Sequence, residues 1–416
     1  MAGERVTHLG GASESGYTQL TCTRAGEALA AFVRSSEFQQ MARRAGANAA
    51  LAGADFQWQV KRVHDRPGQG WAVVYTLTFG GEDLTVVAAN ARGARHEEVE
   101  FPPFVYPLRG SDETVLMWLM PFDPWLPELA RALDPRTYHT RISGVETANL
   151  RAYRPTRRAV IELHAEGGRR AFAKVSAGEG AEQLALRLKM LDEAQVPAPR
   201  LVHVNPGLVV TTGVPGIRLS AALRDPRFDA AALRADIAGI LERLPESALQ
   251  LEPRRAWVER ADRYAHAVAR AFPELAGEAQ DLALEIAQIR GAADEGPLAV
   301  VHGDLYDANI LVDPATGLVS GIIDADGLGP GRAVHDWGCV LGHLVVLDSL
   351  ESRRYAGFEA IAGQWLEDCA QSMDERALRA SLAGVVLSLV PGARLTANPL
   401  AQARTRLARA REWVQK

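Results

Sequence analysis

The spacing of apolar residues changes character several times along this chain, and each change predicts a different kind of element. Residues 1 to about 35 are rich in Gly, Ser, Thr and Ala and carry no sustained period, apart from one or two helical turns over 26–34. Ser36 then predicts a cap for a helix over 37–51. From Phe56 the period drops to two. Phe56, Trp58 and Val60 alternate with polar residues, Pro67-Gly68 marks a turn, 71–79 alternates again, Gly80-Gly81 closes a hairpin, and 84–89 supplies another strand. A further strand is expected over 114–119, before a run punctuated by Pro121, Pro124 and Pro127.

A second β-rich stretch begins near Tyr138. Strands are predicted over 145–153, 159–164 and 171–175, with Gly167-Gly168 turning between the last two. A helix over 181–194 places Leu184, Leu188 and Leu191 on one buried stripe, and Pro197 and Pro199 end it. Short strands over 201–204 and 208–212 lead to a connection at 213–216. Beyond Ser220 the period is helical, over 229–244, 254–272, 278–290, 335–347, 352–372, 374–389 and 399–414. The segment 300–326 interrupts it with two apolar runs, 309–312 and 318–323, around a Pro/Gly turn. The pattern predicts an α+β chain in three parts: a β-rich unit over 1–137, a mixed β/α part over 138–216 and a mainly helical part over 217–416.

Composition narrows the partners more than the fold. A net charge of −5 with both signs interspersed gives no reason to expect nucleic acid or an anionic membrane. Three cysteines, far apart, suit a reducing compartment, and the N-terminus lacks an apolar signal core, so a soluble cytoplasmic protein is expected. The apolar run 340–347 is too short to span a bilayer. Oligomeric state is left open.

The interrupting segment carries the chemistry. His302-Gly303-Asp304, Asn309, and the pair Asp324 and Asp326 gather hard oxygen donors around one hairpin, a set that suits Mg²⁺ and a phosphoryl group. Asp304 alone is most simply a turn residue. With Asn309 five positions on and a strand-flanked acidic pair beyond, it becomes a candidate base for a hydroxyl, with Asn309 and Asp324 on the metal. His302 and Asp336 are expected to support the loop. Asp326 and Asp307 are assigned no single role.

VHGDLYDANILV followed by GIIDADGLGPGRAVHDWG resembles the catalytic segment of the aminoglycoside phosphotransferase/choline kinase family, over about 140–345. The resemblance implies a bilobal protein-kinase-like fold with an additional N-terminal β-rich unit. It implies an ATP- and Mg²⁺-dependent enzyme that phosphorylates a hydroxyl of a small molecule, an aminoglycoside, amino sugar or sugar. Carried over by position, Asp304 is the catalytic base, Asn309 and Asp324 hold Mg²⁺, and Asp336 anchors the loop. Lys174 is the strand lysine that meets ATP phosphates, paired with Glu182 or, alternatively, Glu179, and adenine lies against 210–214. The sequence departs from the kinase pattern where a Gly-rich loop would cover the phosphates. The turn there holds Arg154, Pro155, Thr156, Arg157 and Arg158, and Arg157 is a candidate phosphate contact. The placement of the N-terminal unit resembles the cap of maltokinase-like and glucosamine-kinase-like members. A non-catalytic, nucleotide-binding relative whose N-terminal unit docks a partner is the alternative.

Overall fold

The computed structural model describes residues 25–46, 55–66, 70–90, 106–109, 114–350 and 353–415. They form two compact units, one reaching to Glu182 and including Val202–Val210, the other Gln183–Leu201 with Thr211 onward.

The first unit contains two sheets. Helices α1 (Ala25–Val33) and α2 (Ser36–Arg44) precede the strands, and the cap of α2 is Ser35, whose hydroxyl accepts from Phe38 N at 3.1 Å. That corrects Ser36 by one residue, and α2 stops at Arg44. The rest of the expected helix, over 47–51, lies outside the described residues, as does the Pro67-Gly68 turn. Strands β1 (Gln57–Arg66), β2 (Gly70–Phe79), β3 (Glu82–Asn90), β4 (Tyr106–Arg109) and β5 (Thr114–Leu119) pair antiparallel in the order β1-β2-β3-β5-β4. Leu29, Phe32, Phe38 and Met41 from the helices pack with Leu77, Leu116 and Trp118 from the sheet in one apolar core.

After a helical turn, α3 (Leu129–Ala132), comes the second sheet. It is made of β6 (Val145–Arg154), β7 (Arg158–Ala165), β8 (Arg169–Ser176), β9 (Leu201–Asn205) and β10 (Leu208–Thr212), in the order β6-β7-β8-β10-β9. Its inner face buries Ile161, Leu163, Ala173, Val175 and Leu208 against Leu126, Leu129 and Tyr138.

Helix α4 (Gly180–Glu193) buries the predicted Leu184, Leu188 and Leu191 stripe. The second unit continues with β11 (Ile217–Arg218), α5 (Leu219–Ala222), α6 (Ala230–Leu241), α7 (Ala261–Ala271) and α8 (Ala276–Ala292). Then come β12 (Ala299–Val301), β13 (Ile310–Val312), β14 (Val319–Ile322) and β15 (Gly329–Gly331). Four helices follow: α9 (Ala333–Asp348), α10 (Phe358–Ala370), α11 (Glu375–Leu389) and α12 (Pro399–Gln415). Two helices are shorter than predicted. The regular part of 254–272 starts only at Ala261, after a 3-10 turn at Val258–Arg260. That of 352–372 starts at Phe358, because Gly357 takes φ +94°.

Helix α11 is the axis of this unit. The segment Glu375–Leu395 is long and apolar enough for a membrane span, yet 61% of its apolar window is buried, as in a core helix. Helix α9 packs directly on it. A Cβ at Gly342 would stand 2.9 Å from Val385, and one at Gly338 would collide with Ser381. Two glycines one turn apart thus let the helices touch backbone to side chain, which fixes the start of α9, where Asp336 sits.

Candidate active site

Strand β12 delivers the chain into His302-Gly303-Asp304, and the first turn of α9 holds that loop. Asp336 is 2% exposed, and its two oxygens accept from His302 N at 2.7 Å and Gly303 N at 2.9 Å. Burial raises its carboxyl to about 6, the two N–H groups work against that rise, and the nearby Asp304 charge adds to it. His302 is fully buried, with Nε2 3.1 Å from the Ile323 carbonyl. A carbonyl only accepts, so the proton sits on Nε2. Burial pushes the imidazole down to about 4 despite the Asp324 charge, so the ring is neutral, and Nδ1 has no hydrogen-bond partner among the described residues. Such a ring is a strut between two loops. Gly303 takes φ +79°, and a Cβ there would lie 2.6 Å from Gly327 O. Glycine is required at both positions because the two backbones touch.

The predicted oxygen donors lie on the two segments that meet at this contact. Asn309 is 4% exposed and donates Nδ2–H to the Asp304 carbonyl at 2.9 Å. That bond fixes the amide's orientation and leaves Oδ1 as its acceptor end. The Asn309 carbonyl accepts from Ile323 N at 2.9 Å, which sets Asp324 beside it. Asp324 is half-buried and lies in the left-handed region at φ +63°. Asp304 and Asp326 are half-buried too, Asp326 within a 3-10 turn. Asp307 is buried, which raises its carboxyl against a hydrogen bond from Ser220, so it belongs to the support of the loop. Tyr306 stacks on His343 with ring centres 4.4 Å apart. Among the described residues no group of three or more His, Cys, Asp and Glu side chains is placed to hold a metal. Two hard oxygens, Asn309 and Asp324, fit an ion such as Mg²⁺, which takes one or two protein oxygens and fills its shell with water and phosphate.

In the first unit, Lys174 is half-buried on β8. Glu182 is exposed in the first turn of α4 and makes no ion pair among the described residues, so the expected Lys174–Glu182 pair is not formed. Glu179, the other expected partner, is also exposed. The β6–β7 turn is held by a buried acid. Asp123, 2% exposed, accepts from Trp125 N at 2.9 Å, the Tyr153 hydroxyl at 2.8 Å and Thr156 N at 2.8 Å. Tyr153 in turn accepts from Trp118 Nε1 at 3.1 Å, which ties the turn to the N-terminal sheet. Thr156 takes φ +64°, and Arg157 beside it is exposed.

Sequence reasoning passed over several residues here. Asp123 is one. Arg187 on α4 is another, 5% exposed, with Nε donating to the Leu328 carbonyl at 2.9 Å. A charge next to the apolar stripe was its signal. Trp257, Arg260 and Tyr264 form a stack in the second unit. A surface cavity of about 510 Å³, lined by Asp192, Pro197, Arg200, Thr212, Gly213 and Val214, takes in part of the 210–214 connection expected against adenine and none of the predicted catalytic or metal residues.

Comparison with known proteins adds the lineage. The profile of the phosphotransferase enzyme family matches residues 125–354. The chain belongs to that family. This phosphotransferase family match begins at Trp125 and so leaves β1 to β5 outside it. Solved structures that the chain resembles are aminoglycoside phosphotransferases. An aminoglycoside-3'-phosphotransferase of type VIII is 25% identical over 66% of this chain and 97% of its own, with a TM-score of 0.41. APH(3'')-Id from Streptomyces rimosus is 20% identical over 58% of this chain and 92% of its own, with a TM-score of 0.40. APH(4)-Ia in a ternary complex with ADP and hygromycin B is 13% identical over 68% and 97%, with a TM-score of 0.49. No curated protein sequence matches. As a member of the family the chain has the protein-kinase-like α+β fold, and the N-terminal sheet is an addition to it.

Proposed function

We propose that this phosphotransferase moves the γ-phosphoryl group of ATP to a hydroxyl of a small molecule. The observation that carries the reading is the clamp of Asp336 on the backbone of His302 and Gly303, with Asn309 tied to the carbonyl of Asp304. It fixes the backbone on both sides of Asp304, which is what a base aimed at a substrate hydroxyl needs. Asp304 orients the hydroxyl and takes its proton. Asn309 and Asp324 hold the Mg²⁺, which when bound offsets charge on the phosphates. In the first unit, Lys174 is the cation for ATP phosphates, and Arg157, on a turn fixed by Asp123, is a second. Neutral His302 and buried Asp336 keep the loop in place and exchange no proton with substrate.

Asp304→Asn preserves shape and removes the base. It should lower turnover about 10²-fold or more while the Mg²⁺-ATP thermal shift is kept. Full turnover in that variant sinks the mechanism.

A further inference from the structure

Beside the acid loop lies a group of hydrogen-bond donors with nothing to donate to. The segment 251–264 leads into α7 and is held rigidly. Val258 is buried, and its Cα lies 2.8 Å from where a Cβ on Gly384 of α11 would be. The carboxylate of Glu259 is committed, accepting from Ala256 N at 2.7 Å and from Arg290 at 2.9 Å. The other acids of the segment, Glu252 and Asp262, are exposed. Arg260 lies with its guanidinium 4.9 Å above the Trp257 ring and 5.8 Å from the Tyr264 ring, and the two rings stack at 5.9 Å. Its Nε donates to the Ala256 carbonyl at 3.2 Å.

The remaining donors face no acceptor. Trp257 Nε1 and the Tyr264 hydroxyl are buried and make no hydrogen bond among the described residues. Among the described residues Arg260 makes no ion pair; burial lowers its pKa, the Tyr264 phenol works against that, and Arg254, Arg263 and Arg255 add to it. A desolvated guanidinium among like charges and above two unpaired donors is costly unless a ligand supplies oxygen atoms. The position suits a substrate. The Tyr264 hydroxyl feels the charge of Asp304, and Leu251 and Glu252 each lie 3.7 Å from where a Cβ on Gly329 would be, just past the Asp324–Asp326 turn.

We infer that the hydroxyl acceptor carries a carboxylate, bound by Arg260 with Trp257 and Tyr264 while its hydroxyl reaches Asp304. This rests on the phosphoryl-transfer reading above. A planar carboxylate matches the edge of a guanidinium and has lone pairs to spare for a ring N–H and a phenol. A polyamine acceptor would instead set its cations beside Arg260, where Arg254, Arg255 and Arg263 already add like charge. The acceptor class is therefore a hydroxy acid, hydroxy amino acid or sugar acid, and not an aminoglycoside.

The test uses the full chain with Mg²⁺-ATP and matched acceptors: gluconate, glucuronate, glycerate and homoserine against glucose, glucosamine and an aminoglycoside. ATP consumption should be confined to the acids. Arg260→Gln should raise the KM for the acid about 10-fold or more with kcat and the KM for ATP little changed, the pattern of a lost ground-state contact. Arg260→Lys should recover part of that loss. Turnover confined to neutral or cationic acceptors, or an acceptor KM unmoved in Arg260→Gln, overturns the inference and leaves phosphoryl transfer standing. Absence of a Mg²⁺-ATP thermal shift, with no acceptor turned over, removes the phosphotransferase reading and this inference with it.

Discussion

Two loops in this molecule are each held by one buried aspartate, and they differ in what else holds them. Asp336 grips the His302-Gly303 amides, and Asp123 grips the Thr156 amide at the β6–β7 turn. Both loops put the gripped residue in the left-handed region, Gly303 at φ +79° and Thr156 at φ +64°. At Gly303 a side chain has no room, because Gly327 O would be 2.6 Å away. At Thr156 a side chain is present and the backbone is strained, by about 1–2 kcal/mol for a residue with a Cβ. A hydrogen bond from an amide to a charged group is worth about 1.5–3 kcal/mol, enough to hold that strain. The Gly303 loop is thus fixed by a steric bar as well as by its aspartate, and the turn by its aspartate and backbone hydrogen bonds such as Arg157 N to the Arg154 carbonyl at 3.1 Å, with no steric bar.

The sharpest way to break the comparison is Gly303→Ala. Its Cβ forces the 302–304 and 327 backbones apart, so roughly 3 kcal/mol or more of stability should be lost in urea unfolding. Activity should fall with it. A variant as stable as the parent would mean that the two loops do not depend on their contact.

Next comes the titration of Asp336. Its pKa in the fold, about 6, exceeds its ordinary 3.8. Between about pH 4 and 6 the folded chain therefore keeps a proton that the unfolded chain has released, and stability falls as pH rises across that window. His302 has the opposite sign. Its pKa of about 4 lies below the ordinary 6.5, so the unfolded chain takes up the proton first and stability rises with pH over about 4 to 6.5. The two slopes largely cancel in the parent. Asp336→Asn removes one of them, so its deficit relative to the parent should shrink by roughly 3 kcal/mol from pH 4 to pH 7, at 1.36 kcal/mol per pKa unit. A deficit that stays constant with pH would show that the buried carboxyl is not raised.

The smallest effect belongs to the other loop. Thr156→Gly relieves the strained φ but adds chain entropy, so a gain of less than about 1 kcal/mol is expected by thermal unfolding. A loss beyond that would mean that the Thr156 side chain contributes more than its backbone amide does.

Much of this was legible in the chain. Periodic segments such as Leu184, Leu188 and Leu191, or the alternation of 71–79, announce themselves because burial sets their spacing. Strand β15 was missed, since Gly-Pro-Gly has no period to read, and it pairs with the short strand β12 that leads into Asp304. Asp304, Asn309 and Asp324 were legible as a motif. Asp123 was not, because its partners Tyr153 and Thr156 lie about thirty residues away and nothing local marks them. Trp257, Arg260 and Tyr264 read as part of one amphipathic helix, when the 3-10 turn before Ala261 in fact stacks them on each other.

The burial of α11 has a consequence for how the chain is made. Helices α8, α9, α10 and α12 all pack on it, and α12, with Leu407 and Trp413 in the shared core, follows it in the chain. While the polypeptide emerges from the ribosome, a helix greasy enough to pass for a membrane segment waits for α12 to cover it. Synthesis of this protein thus includes an interval in which chaperones and other sticky surfaces compete with α12 for the same apolar face.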